Sequence, residues 1–334
     1  MAPDLLTHLR ADIVLQPYLV GVDNDLNAAG GSYVDVFYKV PMGDEIDYVK
    51  RMLQIVQQEK VDIILPGSDQ EAFVLASKLE QFAQFGVAVL VSPAPVLELI
   101  KDKAATYQAL EAAGIRVPSY RCVDDTSELQ VALRAFGYPQ QSVILKPVCG
   151  RGGRGMRLLV GKDQLPPLWI GSGAREARLD KLPKQGDIER WFFDGTLMVM
   201  PMLDSPAYDV DVLAIQGKAK AALVRRRSNP AGIPFTGNHI VANPNIMDYC
   251  LKIAEALGLD ALHDIDLLTD QSGQPCLLEV NPRPSGSVSA AHAAGFPIVA
   301  SALAGKLGIY YPLEVPVSDL YIGIVARATL RMQS

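Results

Sequence analysis

Two stretches of this chain carry side chains whose types and spacing suit phosphate and metal chemistry. In the first, the apolar run Cys276-Leu277-Leu278 delivers Glu279 and Asn281 two positions apart. On a strand, that spacing puts both side chains on one face. Both are hard oxygen donors, the ligand type that suits Mg²⁺, or Mn²⁺ in its place, holding nucleotide phosphates. Arg283 extends the same period, so a planar cation arrives beside the metal, where it can hold phosphate or carboxylate oxygens. The second stretch runs from Val143 to Val160. Two β-rich runs flank a loop with four glycines, Gly150, Gly152, Gly153 and Gly155, and the arginines Arg151 and Arg154. That is the grammar of a hairpin. Glycines let successive backbone N–H groups turn toward one anion, so such a loop can close over phosphates. Lys146, at the end of the first run, is placed to meet phosphate oxygens as a point charge. No Gly-Lys-Ser/Thr precedes a helix, so this is not a Walker A loop. A strand and not a helix follows it, which excludes a Rossmann turn.

In this order the two stretches resemble the ATP-grasp superfamily, over about residues 93–309, and most closely its carbamoyl-phosphate-synthase-like and biotin-carboxylase-like branch. The phrase that introduces the lid in that branch reads here Lys101-Asp102-Lys103, a helix, then Gly114-Ile115-Arg116-Val117-Pro118. The resemblance implies that Lys103 joins Lys146 on the phosphates, and that Leu197 to Leu203 is a hinge strand whose backbone reads adenine at Met200, Pro201 and Met202. It also implies a second acidic metal ligand on the strand before Glu279. Asp266 matches best, and Asp264 is the alternative if the hairpin register shifts by one pair. Asp211, in the alternating run 208–214, matches an inward acidic position of relatives. The implied fold is α/β: a doubly wound parallel sheet over residues 1–94, a linker helix and lid over 95–195, and an antiparallel ATP-grasp core over 196–334. Relatives open with a strand and a glycine-rich turn ahead of the first helix, whereas this chain opens near that helix, at about Pro3 to Arg10; a missing first strand is the expectation.

The elements that must position these groups are legible in the pattern. Buried strands are expected at about 18–23, 34–40, 61–66 and 87–91, alternating with helices over 45–59 and 70–85, which implies a parallel sheet. Functional loops of such sheets lie at the carboxyl ends of strands, where Asp23, Asp69 and Glu71 fall. In the core, the strand 221–227 ends in Arg225-Arg226-Arg227, and alternation aims Arg225 and Arg227 the same way. A helix over 244–257 has the apolar spacing of a packed amphipathic element. His292 is the histidine nearest the metal strand, with a capping or core role expected.

Composition bounds the rest. The 334 residues, 49% hydrophobic and 20% charged, suit two or three globular units. The net charge of −6 argues against a nucleic-acid surface, and no apolar run is long enough to span a bilayer. Four well-separated cysteines form no CxxC pair, so neither a disulfide framework nor a zinc site is indicated, and a reduced cytoplasmic protein is expected. A homodimer is compatible with the sequence, which leaves the oligomeric state open. The implied chemistry is ATP-dependent formation of an acyl phosphate, followed by attack of an amine: a carboxylate–amine ligase acting on a small amino-acid-like substrate. Arg283 and Lys146 would be catalytic. The acid would meet Arg283, Ser285, Ser287, Asp211 and one of Arg225 or Arg227, with Asp69 and Glu71 holding a substrate ammonium group. Alternatives are a bicarbonate-activating enzyme of the carbamoyl-phosphate or biotin-carboxylase type, and a non-catalytic ATP-binding regulator.

Overall fold

The computed structural model describes residues 3–150, 154–163, 178–179, 182, 184–193, 195–203, 206–228, 237–314 and 319–323. The first unit alternates helices and strands: α1 (Pro3–Arg10), β1 (Val20–Asp23), β2 (Val36–Lys39), α2 (Tyr48–Glu59), β3 (Ile63–Ile64), α3 (Asp69–Ala76), α4 (Leu79–Ala83) and β4 (Ala88–Val89). In α2, Tyr48, Met52, Ile55 and Val56 share the buried stripe, and Lys60 in the left-handed conformation ends the helix. The four strands fall where hydrophobicity places them and pair in parallel, but as two separate pairs, β1 with β2 and β3 with β4. β3 is only two residues long, and Pro66, which has no N–H to give a ladder, follows closely.

Two helices, α5 (Ala94–Lys101) and α6 (Lys103–Ala112), lead into the second unit. Asp102 ends one and caps the other, its Oδ1 accepting from the N–H groups of Ala104 (2.8 Å) and Ala105 (3.0 Å). Next come β5 (Arg121–Val123), α7 (Thr126–Ala135), β6 (Val143–Pro147), β7 (Arg157–Leu159), β8 (Arg178–Leu179), α8 (Gln185–Glu189) and β9 (Leu197–Pro201). Their strands form one sheet in the order β5-β9-β6-β7-β8. β9, counted with the C-terminal core in the sequence reading, hydrogen-bonds between β5 and β6 and so belongs to this sheet.

The third unit holds β10 (Tyr208–Ile215), β11 (Lys218–Arg227), β12 (Asn238–Ile240), α9 (Pro244–Ala256), β13 (Ala261–Thr269), β14 (Pro275–Asn281), α10 (Ser289–Ala293), α11 (Ile298–Lys306) and β15 (Leu320–Ile322). Its six strands run antiparallel in the order β14-β13-β10-β11-β12-β15. α9 covers the apolar face with Ile246, Tyr249, Cys250 and Ile253, in one core with Val210, Val212, Ile265 and Leu277. The opposite face is chemical. Among the described residues no helix is long and apolar enough to cross a membrane.

Candidate active site

Register builds the site before any long-range contact does. Asp209 lies opposite Asp266 and Asp211 opposite Asp264 across β10 and β13; Asp264 lies opposite Asn281 and Asp266 opposite Glu279 across β13 and β14. Asp209 also faces Arg225 across β10 and β11. Directly paired residues share a face, so four aspartates, Glu279, Asn281, Arg225 and Arg227 line one side of four adjacent strands. Asp264 and Asp266 therefore both point into the site, and the two alternatives left open by the sequence are neighbours in it.

A bulge makes this possible. The register slips between Asp266 and Leu267, pairing Asp266 with Glu279 but Leu267 with Leu277. The extra residue, Leu278, lets Leu277 enter the core while Glu279 stays on the chemical face. It also turns the Leu278 carbonyl out, where it accepts from Lys146 Nζ (3.1 Å) and Tyr107 Oη (3.3 Å). Lys103, the first residue of α6, is aimed by the Asp102 cap: its Nζ donates to Gly150 O (2.8 Å) and lies 3.4 Å from Glu279 Oε2. The two lysines thus meet β14 where the glycine hairpin begins. Burial pushes the Lys146 ammonium down to about 8, although the Glu279 carboxylate favours its charge.

The two arginines differ. Arg225 is wholly enclosed. It donates to Asp211 through Nε (2.8 Å) and Nη2 (3.0 Å), to Ser285 Oγ (2.6 Å), to Ser287 Oγ (2.5 Å) and to Asn238 Oδ1 (3.5 Å). The sequence left one of Arg225 or Arg227 to meet the acid; Arg225 is sealed, and Asp211, Ser285 and Ser287 are its partners, which together tie the turn after Arg283 to the sheet. Arg227 is a quarter exposed and forks onto Asp209 and Asp266, with Nε 2.8 Å from Asp209 Oδ1 and Nη2 2.8 Å from Asp266 Oδ1. Arg283 Nη1 donates to Pro284 O (2.9 Å), and its Nε lies 2.9 Å from Asp69 Oδ1 without hydrogen-bond alignment. Asp69 thus reaches the site from the first unit. Glu71, expected beside it, turns back on its own helix: it accepts from Ser68 Oγ (3.0 Å), Gly67 N–H (3.1 Å) and Tyr48 Oη (3.0 Å), while Ser68 Oγ accepts from its N–H. Ser68 and Glu71 are three residues apart, the spacing of a capping box, with the carboxylate taken up one residue earlier by the Gly67 N–H.

Electrostatics follow from crowding. Burial, and then the neighbouring carboxylates, drive Asp264 and Asp266 well above the usual carboxylate range. Burial also raises Asp211 against the pull of Arg225. At Asp209 burial is outweighed by Arg225 and Arg227, and its carboxyl stays below the ordinary value. Asn281 Nδ2 donates to Asp264 Oδ2 (3.2 Å) and Asp266 Oδ2 (3.4 Å). Asp264 Oδ1, also buried, has no hydrogen-bond partner. Oxygens of Asp209, Asp264 and Asp266 all lie within 4.8 Å of one another. An orphaned buried carboxylate oxygen in an all-oxygen donor set fits a hard divalent cation.

The remaining expected contacts fall as follows. Gly152 and Gly153 lie outside the described residues. Gly155 is exposed and in the left-handed region (φ +74°), Arg154 is exposed beside it, and Gly150 gives its carbonyl to Lys103. Met200 is 3% exposed and packs in the core, so its side chain does not reach a base; Pro201 and Met202 are half-buried. His292 Nε2 accepts from the N–H of Val299 (3.2 Å) in the first turn of α11, and burial lowers its pKa to about 4. Two residues were given no role by the sequence. Alternation already puts Asp209 on one face with Asp211, but nothing local shows that Asp266 and Arg227 meet it there. His263, on β13, has Nδ1 2.9 Å from Asn281 O and Nε2 2.8 Å from Ser92 Oγ; the 171-residue separation of that second contact hides it from a sequence reading.

This geometry matches known proteins at three levels. A family model described as ATP-grasp in the biosynthetic pathway with Ter operon matches residues 193–322, and one described as the PylC-like N-terminal domain matches residues 14–90. The carbamoyl phosphate synthase large chain of Thermoplasma acidophilum is 26% identical over 282 residues, 80% of this chain and 25% of that protein. A biotin carboxylase structure from Campylobacter jejuni, a β,γ-ATP complex by its description, superposes with a TM-score of 0.68 at 17% identity, covering 92% of this chain and 69% of that one. The chain has the ATP-grasp fold. An L-amino acid ligase from Bacillus licheniformis shares the fold as well, with a TM-score of 0.65 at 18% identity over 91% of this chain and 72% of that one. This ATP-grasp chain spans about a quarter of the length of the carbamoyl phosphate synthase large chains it matches.

Proposed function

We propose that this ATP-grasp protein binds ATP between its five-stranded and six-stranded sheets and uses it to activate a carboxylate. The observation that carries the reading is the convergence of Lys103 and Lys146 on Glu279 and the Leu278 carbonyl, beside Asp266 and Asn281. Two cations and a carboxylate–amide set then flank one short strand segment, as bound phosphates and their counter-ion require. The acid's oxygen attacks the γ-phosphorus, the bond to the ADP oxygen breaks, and an acyl phosphate forms; a nucleophile then displaces inorganic phosphate. Lys103 and Lys146 hold phosphate oxygens throughout. Arg283, whose fork is anchored at one end on Pro284 O, meets the transferring group and the acid. The glycine hairpin, tied to Lys103 through Gly150 O, excludes water that would hydrolyse the intermediate. A divalent cation on Asp266, Glu279 and Asn281 supplies charge neutralisation at the phosphates when bound.

For the acid, bicarbonate is the reading that the likeness to carbamoyl phosphate synthase and biotin carboxylase supports best. A second reading, a carboxylate–amine ligase for amino acids, is favoured by one observation: the Asp69 carboxylate beside Arg283 is a charge pair that a zwitterion could split, with its carboxylate on the arginine and its ammonium on the aspartate. Phosphate release from MgATP separates the two. Stimulation by bicarbonate alone supports the first, and stimulation only by an amino acid with an amine, with the condensed product found by mass, supports the second. ATP bound without turnover under either condition would leave a regulatory nucleotide site.

A further inference from the structure

The proposed metal ligand Asp266 is already engaged by a cation. Arg227 Nη2 donates to its Oδ1 at 2.8 Å, and the same guanidinium contacts Asp209 through Nε and Nη2. Around this contact lies a donor set wider than Asp266, Glu279 and Asn281. Oxygens of Asp209, Asp264 and Asp266 all lie within 4.8 Å of one another. Asp264 Oδ1, buried among them, accepts no hydrogen bond, and its nearest cation, Arg225 Nη2, stands 3.9 Å away. Arg225 cannot close that gap, because Asp211, Ser285, Ser287 and Asn238 hold its donors. Arg227 can leave: it ends β11, is a quarter exposed, and among the described residues its side chain is held by the two acids alone.

From these contacts we infer that Arg227 is a displaceable counter-ion, and that a divalent cation enters by exchange with it, gaining Asp209 and the orphaned oxygen of Asp264 as ligands alongside Asp266. Before metal arrives, the guanidinium neutralises carboxylates that would repel one another on adjacent strands. A metal bonded at about 2.1 Å to Asp266 Oδ1 and a guanidinium on the same oxygen would hold two cations within a few Å of each other, so each weakens the other's hold on the carboxylate. Departure of Arg227 leaves its fork at the mouth of the site, where an anion arriving with the metal can take it up. The inference rests on the reading of Asp266 as a metal ligand, and the test separates the two.

Mn²⁺ binding to the full chain without nucleotide, read from the loss of the free-ion paramagnetic resonance signal, is the measurement. Arg227→Gln should tighten Mn²⁺ binding about tenfold or more, the scale of removing a like charge about 4 Å from a divalent ion even at the dielectric of bulk water. Arg226→Gln, one residue off the face, should change nothing, and Asp209→Asn should weaken binding. Equal or weaker Mn²⁺ binding by Arg227→Gln overturns the exchange while leaving Asp266 a ligand; no Mn²⁺ bound by any form, wild type included, overturns both. The wild-type chain gives an independent reading should Arg227→Gln fail to fold. Phenylglyoxal modification mapped by mass should accelerate several-fold at Arg227 when Mg²⁺ is added, with Arg225 unmodified throughout. An unchanged rate at Arg227 rules against displacement.

Discussion

On the proposed reading, the chemical face of the six-stranded sheet and the glycine hairpin of the five-stranded sheet serve one nucleotide by opposite means. On the sheet, side chains carry the function and hold one another: Arg225 alone binds Asp211, Asn238, Ser285 and Ser287, joining three strands and the turn beyond a fourth. On the hairpin, backbone carries it. Gly150 offers a carbonyl to Lys103, and Gly155 adopts a conformation that other residues resist. A face built this way is preorganised, so charge developing on a phosphoryl group meets fixed partners. A glycine loop leaves N–H groups for a ligand to organise. Each region should therefore fail in its own manner.

The largest effect expected is at the centre of the interlocked face. Arg225→Met strands Asp211 as a buried carboxylate without its cation, which costs about 3–5 kcal/mol of folding stability. Urea denaturation reads it directly. A loss below 1 kcal/mol would mean that the turn after Arg283 does not depend on this arginine, and the contrast with the hairpin would weaken.

Next comes chemistry on the same face. Glu279→Gln keeps the shape and removes a charge, and is expected to slow ATP-dependent phosphate release on the order of 100-fold or more. Lys103, 3.4 Å from Glu279, should hold the variant folded through its bond to Gly150 O. Turnover close to wild type would take Glu279 out of the reacting set.

How much of this was legible depends on the range of the forces involved. Alternation places Glu279 with Asn281 and Arg225 with Arg227, because period two is a local property of a strand. The hairpin between β13 and β14 then brings Asp264 and Asp266 to them, and the choice between the two aspartates dissolves because both lie on one face. The bulge at Leu278 was not legible: nothing in Leu277-Leu278-Glu279 says which leucine is the extra one. Nor was the burial of Arg225, which depends on hydroxyls 60 and 62 residues away. Apolar runs mislead in a different way. Leu197 to Pro201 reads as a strand but carries no mark of which sheet it joins, and its place between β5 and β6 is set by tertiary pairing. The four N-terminal strand runs were plain, while their grouping in two pairs was not. Glu71 could have been read from its own neighbourhood, since Ser68-x-x-Glu71 is a capping signature.

A smaller effect lies where the two regions meet, at Lys146. Its ammonium, lowered to about 8 by burial, is charged at neutral pH and loses its proton near pH 8 in the folded chain, whereas the unfolded side chain keeps it to about 10.4. Between those values the unfolded state binds more protons, so folding stability gains as pH rises through this window. Phosphate binding moves the opposite way: nucleotide affinity should fall as pH rises above about 8, and binding near pH 8.5 should take up a proton. Calorimetry in buffers of different ionisation enthalpy measures that uptake. Lys146→Met should abolish it, and a proton-neutral signal in the wild type would mean that the lysine stays charged without phosphate.

The smallest expected effect tests the backbone half of the contrast. Gly155 has φ +74°, and a Cβ added there would sit 2.8 Å from Pro147 Cγ, the ring that ends β6. Gly155→Ala should therefore cost about 1–2 kcal/mol for the left-handed conformation, with some further cost if the proline ring cannot retreat. Gly150 is the control, since its nearest neighbours to an added Cβ lie at 3.8 Å and its φ is not in the left-handed region. Gly150→Ala should be close to neutral in stability. Because β6 also carries Lys146, a forced shift of Pro147 would reach the phosphate lysine, and Gly155→Ala should weaken ATP binding as well. Equal stability for the two variants would show that residue 155 is not held in the left-handed region, and the hairpin would then owe its shape to something other than its glycine.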